Sequence, residues 1–249
     1  MYIDAHNHLE LYKDKLPAAM DMIREHKIIT LGCAMDEDSY LVTKNLSEDN
    51  PLIIPCFGIH PWRAHENYKQ LDRFEKYIKE ARIIGEIGLD YYWVEEKGKY
   101  VYMRQVFQYL VEKASQYNKV TNIHTKGAES EIYEAVKKHN LRNPIIHWYS
   151  GSMDILESFI EYGCYFTISV DLGYSKLTEE IVRRLPLDRI LTETDGPASL
   201  EWVNGQYGYP TEIKKIVKKI SHIKGISYEE AREKIKNNFI KAGDFNEYR

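Results

Sequence analysis

The stretch Met1-Tyr2-Ile3-Asp4-Ala5-His6-Asn7-His8 sets the pattern on which the fold prediction rests, because a short apolar run leads directly into two histidines. Seven further runs of this kind follow along the chain, rich in β-branched side chains and bounded by polar residues, glycine or proline. Such runs are typical of buried parallel strands. The eight predicted strands span residues 2–5, 28–34, 53–57, 83–87, 120–123, 144–146, 165–169 and 190–191.

Longer segments with helical periodicity separate these runs. Apolar residues recur at steps of three and four through residues 71–81 and 103–114, and an apolar stripe runs through residues 213–220. Ser227-Tyr228-Glu229-Glu230 is typical of a capping box that opens the last helix. Eight strands alternating with eight or nine helices predict an α/β fold of the (β/α)8 TIM-barrel type. A doubly wound sheet is the alternative, but no Gly-x-Gly-x-x-Gly turn follows the first predicted strand.

The composition indicates one globular domain. Of the 249 residues, 43% are apolar, and no linker or low-complexity tract interrupts them, so we expect a single domain over residues 1–249. The 34 basic and 38 acidic side chains give a net charge of −4, which argues against a broad electrostatic grip on nucleic acid. The sequence shows neither a membrane-spanning run nor a signal-peptide pattern, and its three cysteines are far apart. We therefore expect a cytoplasmic protein without disulfides or membrane association.

Candidate metal ligands stand at or just beyond the ends of the predicted strands. In a parallel barrel all strand ends of one kind share a rim, so residues distant in sequence can converge there. A lone histidine is more often a hydrogen-bonded core residue, but four histidines and two carboxylates on one rim require a cation. Neutral imidazole combined with carboxylate suits a divalent metal. The six candidates are His6, His8, Glu86, His124, His147 and Asp195.

Several short motifs stand in a fixed order along the chain. They begin with Asp4-Ala5-His6-Asn7-His8, Gly58-Ile59-His60-Pro61 and Gly85-Glu86-Ile87-Gly88-Leu89-Asp90. They continue with Arg104–Phe107, Ile123–Lys126, His147–Gly151, Glu193–Pro197 and Asn238-Phe239. With these motifs in register, the sequence resembles the TatD family of metal-dependent deoxyribonucleases, within the amidohydrolase-like barrels, over nearly its whole length. The resemblance implies a metallo-dependent hydrolase barrel.

The resemblance also implies a site for two divalent metal ions, which could be Mg, Mn or Zn because mixed imidazole and carboxylate sites accept all three. Such ions activate water and stabilise the charge that grows on a phosphoryl oxygen. Asp195 and Glu86 are the expected catalytic residues, and Asp195 could take the proton of the attacking water. The implied ligands are His6, His8 and Asp195 for one ion, and His124 and His147 for the other, with Glu86 bridging the two.

Further residues near the same rim are expected to bind substrate. By family analogy His60 contacts a substrate phosphate, the alternative being a capped turn. Lys126 stands where many relatives carry arginine, so a point charge replaces a bidentate fork. The rings of Trp62, Tyr91 and Trp148 could stack on unpaired bases or, equally, cover the barrel mouth. Two acidic residues are expected either to orient ligands or to serve local turns and ion pairs, namely Asp4 and Glu193.

The leading functional hypothesis is metal-dependent hydrolysis of DNA phosphodiester bonds, exonucleolytic at single-stranded ends. A second enzymatic hypothesis is hydrolysis of the D-aminoacyl ester of an aminoacyl-tRNA by the same activated water. A third, from another class, is a metal-binding barrel that serves as a partner subunit with little turnover of its own. The sequence indicates no particular protein partner.

Overall fold

The computed structural model describes all 249 residues and contains one sheet of eight parallel strands. Each strand pairs with the next strand along the chain, so the order in the sheet follows the sequence. This is the arrangement of a (β/α)8 barrel, and the predicted fold is confirmed. The strands are β1 (Tyr2–Asn7), β2 (Ile28–Cys33), β3 (Ile53–Phe57), β4 (Ile83–Asp90), β5 (Val120–Lys126), β6 (Arg142–His147), β7 (Tyr165–Ile168) and β8 (Ile190–Thr192).

Eleven α-helices and several short 3-10 turns connect and follow the strands. Their apolar faces pack on the outside of the sheet and join it in a core cluster of 60 buried residues. No helix combines the length and the apolar character needed to cross a bilayer. The helices are α1 (Leu16–His26), α2 (Glu37–Asp49), α3 (Ala64–Asn67), α4 (Glu75–Glu80), α5 (Tyr100–Gln116), α6 (Glu129–Lys138), α7 (Met153–Tyr162), α8 (Lys176–Arg184), α9 (Ala198–Asn204), α10 (Ile213–Lys224) and α11 (Tyr228–Gly243).

Two helix predictions are refined by the structure. The periodic segment over residues 71–81 is a 3-10 turn at Leu71–Phe74 followed by the short helix α4, rather than one helix. Ser227 caps α11 as expected, because its side chain accepts a hydrogen bond from the Glu230 backbone N–H. The reciprocal side-chain bond of a full capping box is not formed there. The three cysteines are buried and free.

The seam between β8 and β1 is joined by backbone hydrogen bonds next to the predicted ligands. The Asp195 N–H donates to the His6 carbonyl at 2.9 Å, and the His8 N–H donates to the Gly196 carbonyl at 3.1 Å. Residues from the two ends of the chain are therefore locked together at the C-terminal mouth of the barrel, which is the end where barrels of this type carry their chemistry.

Candidate metal centre

The structure brings the six predicted ligands together at the C-terminal mouth of the barrel. All six side chains are almost completely buried, although a buried charge or unpaired polar group carries a large desolvation cost. They come from five separate places in the fold, namely β1 and the residue after it (His6, His8), β4 (Glu86), β5 (His124), the end of β6 (His147) and the loop after β8 (Asp195).

Glu86 lies at the centre of this cluster, and its two carboxylate oxygens face different histidines. Oε2 lies 3.2 Å from Nε2 of His6 and 3.3 Å from Nε2 of His8. Oε1 lies 2.8 Å from Nδ1 of His124 and 3.8 Å from Nε2 of His147. The carboxylate therefore contacts all four histidines that the family resemblance implies as ligands, and the His147 ring also stacks on His6 with ring centroids 3.7 Å apart.

Asp195 completes one side of the cluster. Its Oδ1 lies 3.4 Å from Nε2 of His8 and 3.9 Å from Nε2 of His6, and its Oδ2 lies 3.9 Å from Nε2 of His147. Burial raises the pKa of Asp195, while the neighbouring histidines oppose this rise. Three sets of three side chains each place their ligand atoms within 4.8 Å of one another. The sets are His6 with His8 and Asp195, His6 with Glu86 and His147, and His60 with Glu86 and His124.

In each of the four predicted histidine ligands, one ring nitrogen forms a hydrogen bond with an oxygen atom outside the cluster. A ring nitrogen that donates a hydrogen bond carries the proton, so in the neutral ring the other nitrogen presents a lone pair. That lone pair faces the cluster, as in metal sites whose ligands are oriented by outer acceptors. The pairs are His6 Nδ1 with Asn122 Oδ1 at 2.8 Å, His8 Nδ1 with the Cys33 carbonyl at 3.0 Å, His124 Nε2 with Asp90 Oδ2 at 3.0 Å, and His147 Nδ1 with Glu193 Oε2 at 2.8 Å.

His60 has the opposite arrangement, although it also lies beside Glu86. Its Nδ1 accepts the Trp62 backbone N–H at 3.1 Å, so the proton of the neutral ring is on Nε2. Burial lowers the pKa of His60 to about 4, which keeps the ring neutral at pH 7. Nε2 points to Glu86 Oε1 at 3.4 Å. His60 therefore presents a hydrogen-bond donor to the site, whereas each of the other four histidines, in the neutral form that binds metal, presents a lone pair.

The cluster fits divalent cations. The Nε2 atoms of His6 and His8 face each other at 3.3 Å, and Oε2 of Glu86 is buried beside them without a hydrogen-bond partner. Burial opposes the ionisation of Glu86, yet in the absence of metal the His60 and His6 rings, and the hydrogen bond that His124 donates to its carboxylate, hold its pKa well below the usual range. Against the effect of burial, the close contact with the Glu86 carboxylate raises the pKa of His8 to about 9, so without a metal a proton lies between these groups. A divalent metal can replace that proton, because imidazole with carboxylate is a donor set for divalent metals.

Asp90 connects a ligand histidine to an aromatic rim, a role that its place in a sequence motif did not reveal. Its Oδ2 accepts the Trp62 indole N–H at 2.8 Å as well as the ring of His124. Its Oδ1 accepts the backbone N–H groups of Tyr92 at 3.0 Å and Trp93 at 2.7 Å. One carboxylate thus orients a candidate ligand and fixes the loop that carries the neighbouring rings.

Asn122 and Glu193 orient ligand histidines, whereas Asp4 acts on the backbone near a ligand. Asn122 holds the His6 ring, and its signal in the sequence is an amide inside a buried strand. Glu193 accepts from His147 and so orients a ligand directly. Asp4 contacts no ligand ring. Its carboxylate instead accepts hydrogen bonds from two groups of Thr194, the backbone N–H at 2.8 Å and the side-chain hydroxyl at 2.6 Å. Asp4 therefore fixes the loop that leads to Asp195.

The cluster forms the floor of an open cleft of about 630 Å³. Four of the five residues expected to bind substrate line this cleft, namely His60, Trp62, Lys126 and Trp148. Tyr91 does not line it, because its ring packs at 4.4 Å on Tyr100 and its hydroxyl donates to Glu131. The next two residues along the chain, Tyr92 and Trp93, occupy the cleft wall instead.

A parallel barrel with buried imidazoles and carboxylates at its C-terminal mouth is the architecture of a metal-dependent hydrolase. The family model described as TatD related DNase matches residues 3–242, and the chain belongs to this family.

Individual relatives agree with this assignment. A Methanocaldococcus jannaschii protein named an uncharacterized metal-dependent hydrolase is 28% identical over 254 residues, which cover 96% of each chain. A Mus musculus protein whose name proposes a deoxyribonuclease is 28% identical over 251 residues, covering 93% of this chain and 84% of its own. The crystal structure of a TatD homolog from Escherichia coli K12 has a TM-score of 0.87 at 19% identity, covering 98% of both chains, and so shares the fold.

Proposed function

We propose that the protein hydrolyses phosphodiester bonds of DNA at single-stranded ends with the help of two divalent cations. The observation that carries this proposal is the position of Glu86, whose two oxygens face separate groups of histidines on the floor of an open cleft. The family description, TatD related DNase, and the name of the mouse relative support DNA as the substrate.

The residues that would hold the ions are those with lone pairs directed at the cluster. When bound, divalent ions such as Mg²⁺, Mn²⁺ or Zn²⁺ supply positive charge that activates water and stabilises the charge developing on phosphoryl oxygens. The proposed ligands are His6, His8 and Asp195 for one ion, His124 and His147 for the other, and one oxygen of Glu86 for each.

Three side chains act on the substrate in this proposal. Asp195 is a carboxylate at the open side of the cluster and accepts the proton of the attacking water. His60 donates its Nε2–H to a phosphate oxygen. Lys126 donates two of its three hydrogens, to the Trp148 carbonyl at 2.7 Å and to Ser150 Oγ at 3.1 Å, so the third remains for a phosphate.

The proposal is tested with purified protein stripped of metal and given Mg²⁺, Mn²⁺ or Zn²⁺ in turn, with end-labelled single-stranded DNA as substrate. We expect stepwise shortening of the strand that depends on added metal. Glu86→Gln should slow it at least about a thousandfold, because several kcal/mol of transition-state stabilisation are lost and each 1.36 kcal/mol is a factor of ten. Glu134→Gln on α6, whose side chain is 72% exposed, is the matched control and should keep the wild-type rate.

Three other outcomes would overturn the proposal. Release of the amino acid from D-aminoacyl-tRNA with no loss of DNA would instead support the deacylase. Full occupancy of the site by metal, with neither reaction detected, would support a partner subunit with little turnover. Cleavage that persists in Glu86→Gln at the wild-type rate would show that the nuclease activity does not come from this cluster.

A further inference from the structure

Aromatic rings surround the cleft. Trp62 is 38% exposed, and Tyr92, Trp93 and Trp202 are 70%, 61% and 63% exposed, although such large apolar side chains usually find cover. All four line the cleft above the candidate metal centre. They come from three separate segments, namely the 3-10 turn after β3, the loop after β4 and helix α9 after β8, so no single helical or strand periodicity explains their exposure. Exposed rings arranged around one cleft are suited to stacking on planar ligands.

Positive charge is scarce on the same surface. Lys126 is the only lysine or arginine that lines the cleft, which also carries the acidic Glu129. Outside the cleft, Lys99 pairs with Glu96 at 3.0 Å, and Arg63 pairs with Glu66 at 3.4 Å. Because each of these cations lies beside a carboxylate, this surface offers little net positive charge to the phosphates of a long strand. This surface therefore lacks the basic track that general single-strand binding grooves combine with their rings.

A second depression continues the cleft across two of the rings. It has a volume of about 570 Å³, and Trp62 and Trp93 line both it and the main cleft. Its remaining walls include Glu95, Glu96 and Lys99, and the Lys99 ammonium pairs with Glu96. A base that extends from the metal centre meets aromatic faces there, whereas a phosphate meets two carboxylates and one lysine that is already paired. Trp62 is fixed in place because its indole N–H donates to Asp90.

We propose that the protein recognises its substrate by stacking on the terminal bases and by contacting a single phosphate, the one at the metal centre. This inference rests on the proposed function and names the substrate of that site. The substrate is a single-stranded end, and a dinucleotide already supplies every essential contact. One ammonium at Lys126 and one donor at His60 suit one phosphate, and the rings suit the bases on either side of it.

The proposal predicts a weak dependence on salt. For single strands, the logarithm of the affinity falls with the logarithm of salt concentration by about 0.7 for each phosphate contacted. We therefore expect a slope of about −0.7 for kcat/KM, against roughly −4 for a groove that contacts six phosphates. The dinucleotide and a long oligonucleotide should have kcat/KM values, per strand end, within about tenfold of each other, because further bases add at most weak contacts.

Base stacking is tested with dinucleotides that either carry both bases or lack one of them. Trp93→Ala and Trp202→Ala should each lower kcat/KM for the complete dinucleotide by about five- to 150-fold, the range of base-to-ring stacking. For each variant, we expect no slowing with the dinucleotide that lacks the base stacked on the replaced ring. Tyr174→Ala is the matched control, because its ring is 60% exposed and lies outside the cleft lining. Thermal unfolding of each variant checks that the fold is kept.

The outcomes separate this inference from the function on which it rests. Cleavage of DNA with a slope steeper than about −3, or cleavage that neither tryptophan variant alters, would overturn the inference and leave the nuclease standing. Equal slowing of the complete and the base-deficient dinucleotide would also overturn it, since the rings would then act on the site rather than on bases. Failure of the wild-type protein with metal to cleave any phosphodiester, including bis(p-nitrophenyl) phosphate, would overturn both.

Discussion

The carboxylate of Asp90 touches a candidate metal ligand and a substrate-facing ring through the same oxygen. Oδ2 accepts from His124 at 3.0 Å and from the Trp62 indole at 2.8 Å, while Oδ1 holds two backbone N–H groups of the next loop. Such an acceptor fixes the tautomer of the ligand and raises its basicity. The Trp62 ring therefore shares its anchor with a candidate ligand of the metal centre.

Asp90→Asn should weaken metal binding by about 10- to 100-fold, the usual cost of losing an outer acceptor of a ligand histidine. The amide keeps only one acceptor oxygen, so it cannot serve both His124 and the backbone N–H groups. Calorimetric titration of metal-free protein with Mn²⁺ measures the change. Asp188→Asn, on the surface, should bind as the wild type does. Unchanged affinity in Asp90→Asn would show that His124 does not bind metal through this arrangement.

His60→Ala should lower kcat by about 10²- to 10³-fold with no change in the amount of metal bound. The reason is that His60 presents an N–H to the site, and removal of one donor to a developing oxyanion has this effect. His147→Ala, which removes a lone pair, should instead reduce the metal content. Elemental analysis beside the rate assay separates the two, and His60→Gln, which keeps an N–H, should recover part of the rate. Loss of metal in His60→Ala would contradict the assigned tautomer.

The candidate metal ligands could be predicted from the sequence better than the groups that form hydrogen bonds with them. His6 and Glu86 stand out because a charged or imidazole side chain is unusual in an apolar run. Asn122 and the Cys33 carbonyl were not identified, because their roles depend on which strands are neighbours and in what register. That information comes from the pairing of distant segments, as when β5 places Asn122 against the His6 ring.

At the scale of the elements, most strands began where their apolar runs predicted, but several extended beyond them. β1 continues to Asn7 rather than ending at Ala5, β4 continues to Asp90, and β5 continues to Lys126. The apolar criterion stops at the first polar residues, whereas the barrel keeps those residues in strand geometry because they fill its mouth. The additional strand residues are thus the ones that carry the chemistry.

The segment over residues 71–81 shows a second limit of prediction from apolar spacing, which is the choice between a 3-10 turn and an α-helix. Side chains at i and i+3 lie on one face in a 3-10 turn, and i, i+3 and i+4 lie on one face in an α-helix. Leu71 and Phe74 are buried in either conformation, so their spacing could not distinguish the 3-10 turn from the first turn of a helix.

Glu75, at the start of α4, gives this helix a pH-dependent attachment to α5. Its carboxylate accepts from the Tyr117 hydroxyl and pairs with Lys79 at 3.0 Å and Lys113 at 3.3 Å. The Tyr117 hydrogen bond and then the two lysines lower the pKa of Glu75 from 4.5 to about 2. Because the folded pKa is the lower one, this attachment stabilises the fold fully above about pH 4.5 and is lost as the pH falls toward 2.

Glu75→Gln should therefore lower the free energy of unfolding at pH 7, and its difference from the wild type should shrink as the pH falls below about 4.5. Urea unfolding at several pH values measures both quantities. Glu134→Gln serves again as the control and should match the wild type throughout, because its carboxylate is largely exposed. A difference that stays constant down to pH 2 would mean that Glu75 contributes through packing rather than through its charge.

At the scale of the whole molecule, the candidate ligands connect distant parts of the barrel. They come from β1, β4, β5, β6 and the loop after β8, and the seam bond from Asp195 to His6 joins two of these places directly. Without a metal, burial of these groups carries a desolvation cost, and protons on the histidines beside Glu86 take the place of the cation. A metal that binds only the folded barrel would therefore add to its stability.

Added metal should accordingly raise the thermal stability of the entire barrel. A ligand present at 100 times its dissociation constant, and bound only by the folded state, adds about 2.7 kcal/mol. Each kcal/mol raises Tm by about 2–4 °C for a chain of this size, so we expect an increase of about 5–11 °C. Calorimetry of metal-free protein with and without Mn²⁺ measures it, and the increase should grow with metal concentration.

The variants already described distinguish binding at this cluster from binding elsewhere. Glu134→Gln should show the full increase in Tm, whereas Glu86→Gln should lose most of it, because Glu86 faces both groups of histidines. Glu86→Gln should also lower the Tm of the metal-free protein, since the neighbouring histidines that hold the pKa of Glu86 well below its usual range would lose their carboxylate partner. An increase in Tm that survives in Glu86→Gln would place the stabilising metal outside the barrel mouth and would contradict a metal centre built on this carboxylate.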